Sequence, residues 1–232
     1  MSDSLTDEIA AAAARLVVET GLEYGAAKHK AARALSRRGG AARADMPSNE
    51  QVEDEVRAYT ELFLADTQPG ELAALREVAL LWMQRLAEFR PHLTGAVWRG
   101  TATRESAVHI ELFCDDSKAA EIALLNMGVD HDVHVLDAGH AAARDVLTVS
   151  SPCRALGHPV TVHLIVNDHD DLRGALKPDA TGRTWRADLA TLKRHMAQPT
   201  WSQHPGAAQA SPLPTPTTAK TPPSGGCHER TS

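Results

Sequence analysis

The hydrophobic rhythm of the chain changes twice. From residue 1 to about 91 apolar side chains recur three and four positions apart, the spacing that lines one face of an α-helix. Ile9, Ala13, Leu16 and Val17 form the first stripe, which runs into Gly21, a stop signal. A second helix is predicted over about 23–36. Pro47-Ser48-Asn49 opens a third, with Val52, Val56, Tyr59, Leu62 and Phe63 as its stripe beside an acidic face. Leu72, Leu75, Val78, Ala79, Trp82, Leu86 and Phe89 make a fourth, ended by Pro91.

From 92 to about 198 the period shortens. Val108, Ile110 and Leu112 alternate with Ala107, His109, Glu111 and Phe113, the pattern of a strand. Residues 133–136, 146–149 and 160–166 read as further strands. Asp115, Asp116 and Ser117 are suited to cap a helix that runs through Asn126 and closes at Gly128. A last helix is expected over about 185–196. Strands interleaved with helices predict an α+β chain: a helical region at 1–91, then a mixed sheet with flanking helices at 92–198. From Pro199 onward Pro, Thr, Ser, Ala and Gly dominate. Such a segment buries too little apolar surface to offset its ordering entropy, so 199–232 is expected to be disordered.

Composition narrows the function classes. The 232 residues are 43% hydrophobic with a net charge of −6, enough for a core and without a global pull on nucleic acid or anionic lipid. No apolar run approaches the ~20 residues that span a bilayer, and the polar first residues lack a signal-peptide core, so a cytoplasmic protein is expected. Cys114, Cys153 and Cys227 form no CxxC pair, so neither a disulfide framework nor a zinc module is predicted.

The stretch GAVWRGTATRESAVHIELF, residues 95–113, carries the candidate chemistry. Gly95-Ala96, Arg99-Gly100 and Ser106 precede Ala107-Val108-His109 on the strand. This layout resembles the signature of the DNA polymerase beta-like nucleotidyltransferases, especially the minimal members. Their signature is a Gly-Ser or Gly-Gly turn, an Arg-Gly, a Ser, and then two acids flanking a hydrophobic residue. The resemblance covers about residues 92–166 and implies a third acid on a later strand of the same sheet, where the best match is His163. It further implies a nucleotide ligand, with Gly95, Ala96, Arg99, Gly100 and Ser106 at its phosphates and Arg104 adding charge.

The acids themselves are missing. Two-metal transfer needs hard oxygen ligands, whereas these positions read Ala107, His109 and His163. The expectation is a degenerate site that binds nucleotide or phosphate, or serves an interaction, without ordinary transfer. One alternative is an active transferase: residues 109 and 111 share a strand face, so His109, Glu111 and His163 could hold a divalent metal, Mn or Zn rather than Mg. The competing reading has both imidazoles hydrogen-bonded and Glu111 solvated at a strand end.

Three other features are weighed against simpler roles. Asp168-His169-Asp170-Asp171 is a possible metal cluster, but Asp170 or Asp171 capping a following helix accounts for it. Lys177, Arg183 and Arg186 in the 174–186 stretch could border an anion or simply be solvated. Lys28, His29, Lys30, Arg33, Arg37, Arg38 and Arg43 could contact nucleic acid, or form a solvated face paired with the acidic helix. An ATP-dependent ligase such as UDP-N-acetylmuramate–alanine ligase would need a GxxxxGK[ST] loop, and no such run occurs.

Overall fold

A computed structural model describes residues 2–39, 45–136, 144–173 and 184–198. The disorder expected for 199–232 therefore lies outside the described residues, as do Arg43, Lys177, Arg183 and Cys227. Residues 1–197 form one compact unit with α+β architecture. No described helix is long and apolar enough to cross a membrane.

The predicted helices appear as α1 (Ser2–Thr20), α2 (Tyr24–Gly39), α3 (Asn49–Phe63) and α4 (Gln68–Arg85). Local chemistry fixes their ends. Ser48 accepts from the Gln51 backbone N–H while the Gln51 side chain accepts from the Ser48 N–H, a closed capping box. Pro69 sits in the first turn of α4, where a missing N–H costs nothing. Helices α1, α2 and α3 make their own core from Ile9, Ala13, Val17, Ala27, Ala31, Val52 and Val56. Helix α4, which the sequence pattern groups with them, instead sends Leu75, Ala79, Trp82 and Met83 into the core of the sheet.

The rest of the unit comprises β1 (His92–Thr94), α5 (Gly95–Arg99), β2 (Val108–Cys114), α6 (Ala119–Asn126), β3 (His131–Leu136), β4 (Arg144–Ser151), β5 (Val160–Asp168), β6 (Arg186–Asp188) and α7 (Leu189–Met196). The mixed six-stranded sheet has the order β3-β4-β5-β2-β1-β6, with β2 and β5 parallel and the other pairs antiparallel. One face carries Leu93, Ile110, Leu112, Leu147, Val162 and Leu164 against α4, Leu124 of α6 and Leu192 of α7. Full burial of such a side chain contributes roughly 1.5–3 kcal/mol, so this face dominates the stability of the sheet.

The opposite face is polar. One registered row crosses all six strands: Asp132, Thr148, His163, His109, Thr94 and Arg186. Directly paired residues share a face, so these six side chains emerge together.

Three local expectations are corrected. Residues 95–99 form a one-turn helix and not an open turn. The cap of α6 is Lys118, with no side-chain cap bond, while Asp116 accepts from the Lys118 N–H outside the helix at 2.9 Å. Asp168, rather than Asp170 or Asp171, caps the short 3-10 turn after β5, accepting from the Asp170 N–H at 2.8 Å.

Candidate functional site

The turn after α1 brings the helical core to the sheet. Gly21 has φ of 65°, and a Cβ there would lie 2.2 Å from the Glu105 carbonyl oxygen, so only glycine fits. Thr103 Oγ1 donates to the Val18 carbonyl at 3.2 Å, and Tyr24 and Thr101 share a hydroxyl–hydroxyl bond of 3.2 Å. Between this seam and the sheet opens a cleft of about 260 Å3. Its walls include Gly95, Ala96, Arg99, Ser106, Ala107 and His109, joined by Glu23, Tyr24, Asn49, Glu53, Thr94 and Trp185. Six of the residues singled out in the sequence thus share one cleft. Gly100, Glu111 and His163 do not line it.

His109 and His163 stand in direct register on parallel neighbours, with ring centroids 5.0 Å apart. His109 Nε2 lies 3.4 Å from the carboxylate of the exposed Glu23, and His163 Nδ1 is 3.0 Å from the Thr148 hydroxyl. Burial pushes the imidazole of His163 below its ordinary range, and the like charges of His109 and His134 push the same way. Gly95, at φ of 69°, lies against His109: a Cβ on it would be 3.5 Å from His109 Nδ1.

Glu111 is not available to the imidazoles. Arg186 grips it through Nε and Nη2, the latter at 3.0 Å, and the residue is 7% exposed rather than solvated. Among the described residues no group of three His, Cys, Asp or Glu side chains could hold a metal ion. The set His109, Glu111 and His163 is therefore not assembled, because the carboxylate is neutralised by an arginine two strands away. The donors present do not fit the hard-cation pair that the family resemblance implies.

Arg99 has a bracing role in place of the expected free phosphate contact. Its Nε and Nη2 bond the carboxylate of Glu53 at 3.0 Å and 2.9 Å, and its guanidinium lies 4.1 Å over the Trp185 ring. Glu53, 1% exposed, also receives Arg57 Nη2 at 2.7 Å, and Arg57 Nη2 bonds the Arg99 carbonyl at 2.7 Å. The reading of α3 as a helix with an acidic face beside its apolar stripe misses this residue. The available signal is that Glu53 falls on the helix face of Val52, Val56 and Thr60, all buried.

Gly100, Ser106 and Lys28 have structural partners. Gly100 closes α5, with its N–H and that of Thr101 both reaching the Ala96 carbonyl. Ser106 Oγ accepts from the Thr103 N–H at 3.0 Å. Arg104 is exposed beside Glu105, 3.5 Å away. Lys28 donates to the Pro47 carbonyl and to Asn49 Oδ1 rather than to an acid of α3, while His29, Lys30 and Arg33 are exposed. Cys114 donates to the Asp116 carbonyl; burial, then Asp116, Asp115 and Asp168, push its thiol up, the opposite of an activated nucleophile.

No family model and no curated protein matches the sequence. Solved structures with partial likeness include Cid1 bound to the UTP analogue UMPNPP, at 12% identity and a TM-score of 0.31 over 50% of this chain and 36% of that one. The Cid1 poly(U) polymerase with MgGTP gives 12% and 0.32 over 49% and 38%. A further Cid1 structure, described by its RNA terminal uridylyl transferase activity, gives 13% and 0.24 over 52% and 31%. This chain spans about a third of the length of those structures.

Proposed function

We propose that this chain is a nucleotidyltransferase-type protein whose cleft binds a nucleotide or other phosphate-bearing ligand without two-metal transfer. The observation that carries the reading is the register of His109 with His163 beside Gly95. These positions match those where the resembled family has acids, on neighbouring strands and facing one way, yet they carry imidazoles, with a methyl group at Ala107. Nucleotidyl transfer uses two cations to neutralise developing charge and align the attacking oxygen, and imidazole is a poor ligand for Mg²⁺. Protonated imidazoles and backbone N–H groups, by contrast, are sound partners for a phosphate oxygen.

The binding test is a thermal-shift titration of the full chain with nucleoside triphosphates, in chelator and with Mg²⁺, Mn²⁺ or Zn²⁺. A ligand at about 100 times its Kd stabilises by about 2.7 kcal/mol. The expected result is a shift that persists in chelator and shrinks in His109→Ala. A shift that requires Mn²⁺ or Zn²⁺ would overturn the metal-free reading in favour of a metal site, and no shift would overturn nucleotide binding.

A further inference from the structure

The sheet ends on β3. Among the described residues no strand pairs with its outer edge, and five of its six residues are exposed. Long free edges are usually blunted by Lys, Pro, a bulge or a covering segment. The β3 sequence His-Asp-Val-His-Val-Leu contains neither Lys nor Pro, and its pairing to β4 runs without a break from His131–Val149 to Leu136–Arg144. Val133, in register with the core residue Leu147, is 42% exposed and Val135 is 64% exposed, on the face that α6 also covers. Helix α6 buries Ala120 and Leu124 but leaves Ile122 and Leu125 more than half exposed. Edge and apolar fringe together form an unfilled pairing surface.

The side chains of β3 select its partner. We propose that two copies of this chain join edge to edge through β3, antiparallel and centred on Val133, which sets Asp132 of each copy opposite His134 of the other. A symmetric antiparallel pair that keeps like faces together must be centred on a residue, because a one-residue slip sends every side chain to the wrong face. Centring on Asp132 opposes two carboxylates, and centring on His134 opposes two imidazoles while leaving Asp132 against Leu136. Centring on Val133 pairs valine with valine on the apolar face and forms two Asp–His pairs on the polar face. It is the one of these three registers in which each carboxylate meets an imidazole that can donate a hydrogen bond to it. The contact is isologous, so it closes at two copies.

The full chain, measured by sedimentation equilibrium, should reach twice its 24.9 kDa mass at micromolar concentration. Asp132→Lys removes the acceptor for the facing imidazole and His134→Glu sets two carboxylates opposite each other, so each should weaken the dimer about tenfold or more. The double variant reverses both signs and should restore most of the affinity. Under mild oxidation, Val133→Cys should give a dimer cross-linked at position 133 by peptide mapping, whereas Val135→Cys should not, since 135 faces 131 in this register. These residues are exposed, and circular dichroism checks that each variant folds. A chain that stays monomeric overturns the proposal. So does a dimer indifferent to the single variants, one that the double variant fails to restore, or cross-linking at 135 rather than 133.

Discussion

His109 and His163 stand in register on parallel strands, ring centroids 5.0 Å apart and ring planes tilted by 34°. Burial, and then the charges of His109 and His134, hold the His163 imidazole below its ordinary range. Of the two, His109 lines the cleft and His163 does not.

A pH dependence of stability follows. In the unfolded chain His163 regains its ordinary value of 6.5, above its folded value. Between the two, the unfolded chain binds more protons, so stability falls as pH drops from about 6.5 through the folded value. His195, lowered by burial and then by Arg76, acts in the same direction. Urea denaturation near pH 7.5 and near pH 5 should show the loss, and His163→Gln should reduce it. An unchanged loss in that variant would contradict the assignment.

The pairing of Glu111 with Arg186 gives a second prediction. Removing one partner of a buried ion pair costs about 3–5 kcal/mol, and the one-third exposure of Arg186 puts Arg186→Ala near the lower figure. Adding Glu111→Gln removes the stranded charge and should recover much of the loss. Chemical denaturation of the two singles and the double decides this. If the double is as unstable as Arg186→Ala, the cost lies in packing and not in the carboxylate.

Much of this arrangement was legible in the sequence, and the gaps have physical causes. Helices α1 to α4 and strands β2, β4 and β5 are long enough to display a period, so their stripes locate them. Strands β1 and β6 have three residues each, too few to show alternation, and both were missed. That omission hid the partner of Glu111, because Arg186 reaches it only through the β6-β1-β2 pairing. Helix α5 is punctuated at both ends by glycine, and so reads as a turn. The bracing of Arg99 is not legible locally, since the carboxylate that holds it comes from 46 residues earlier.

The proposed degeneracy of the site can be tested by placing acids at the three positions. Ala107→Asp, His109→Asp and His163→Asp combined should crowd three carboxylates at one end of β2 and β5. The triple variant should melt below the wild type in chelator and regain stability with Mg²⁺ or Mn²⁺, while the wild type responds little to Mg²⁺. Equal responses of the two proteins to Mg²⁺ would mean that these positions do not share a metal-sized site.

The most direct test of the central claim is an NMR titration of the full chain with ATP in chelator, followed by addition of Mg²⁺. The account predicts saturable shifts at the Gly95 and Ala96 amides and the His109 imidazole without metal, and no transfer or hydrolysis product after Mg²⁺ is added. Absence of those shifts, or appearance of product with Mg²⁺, would contradict it.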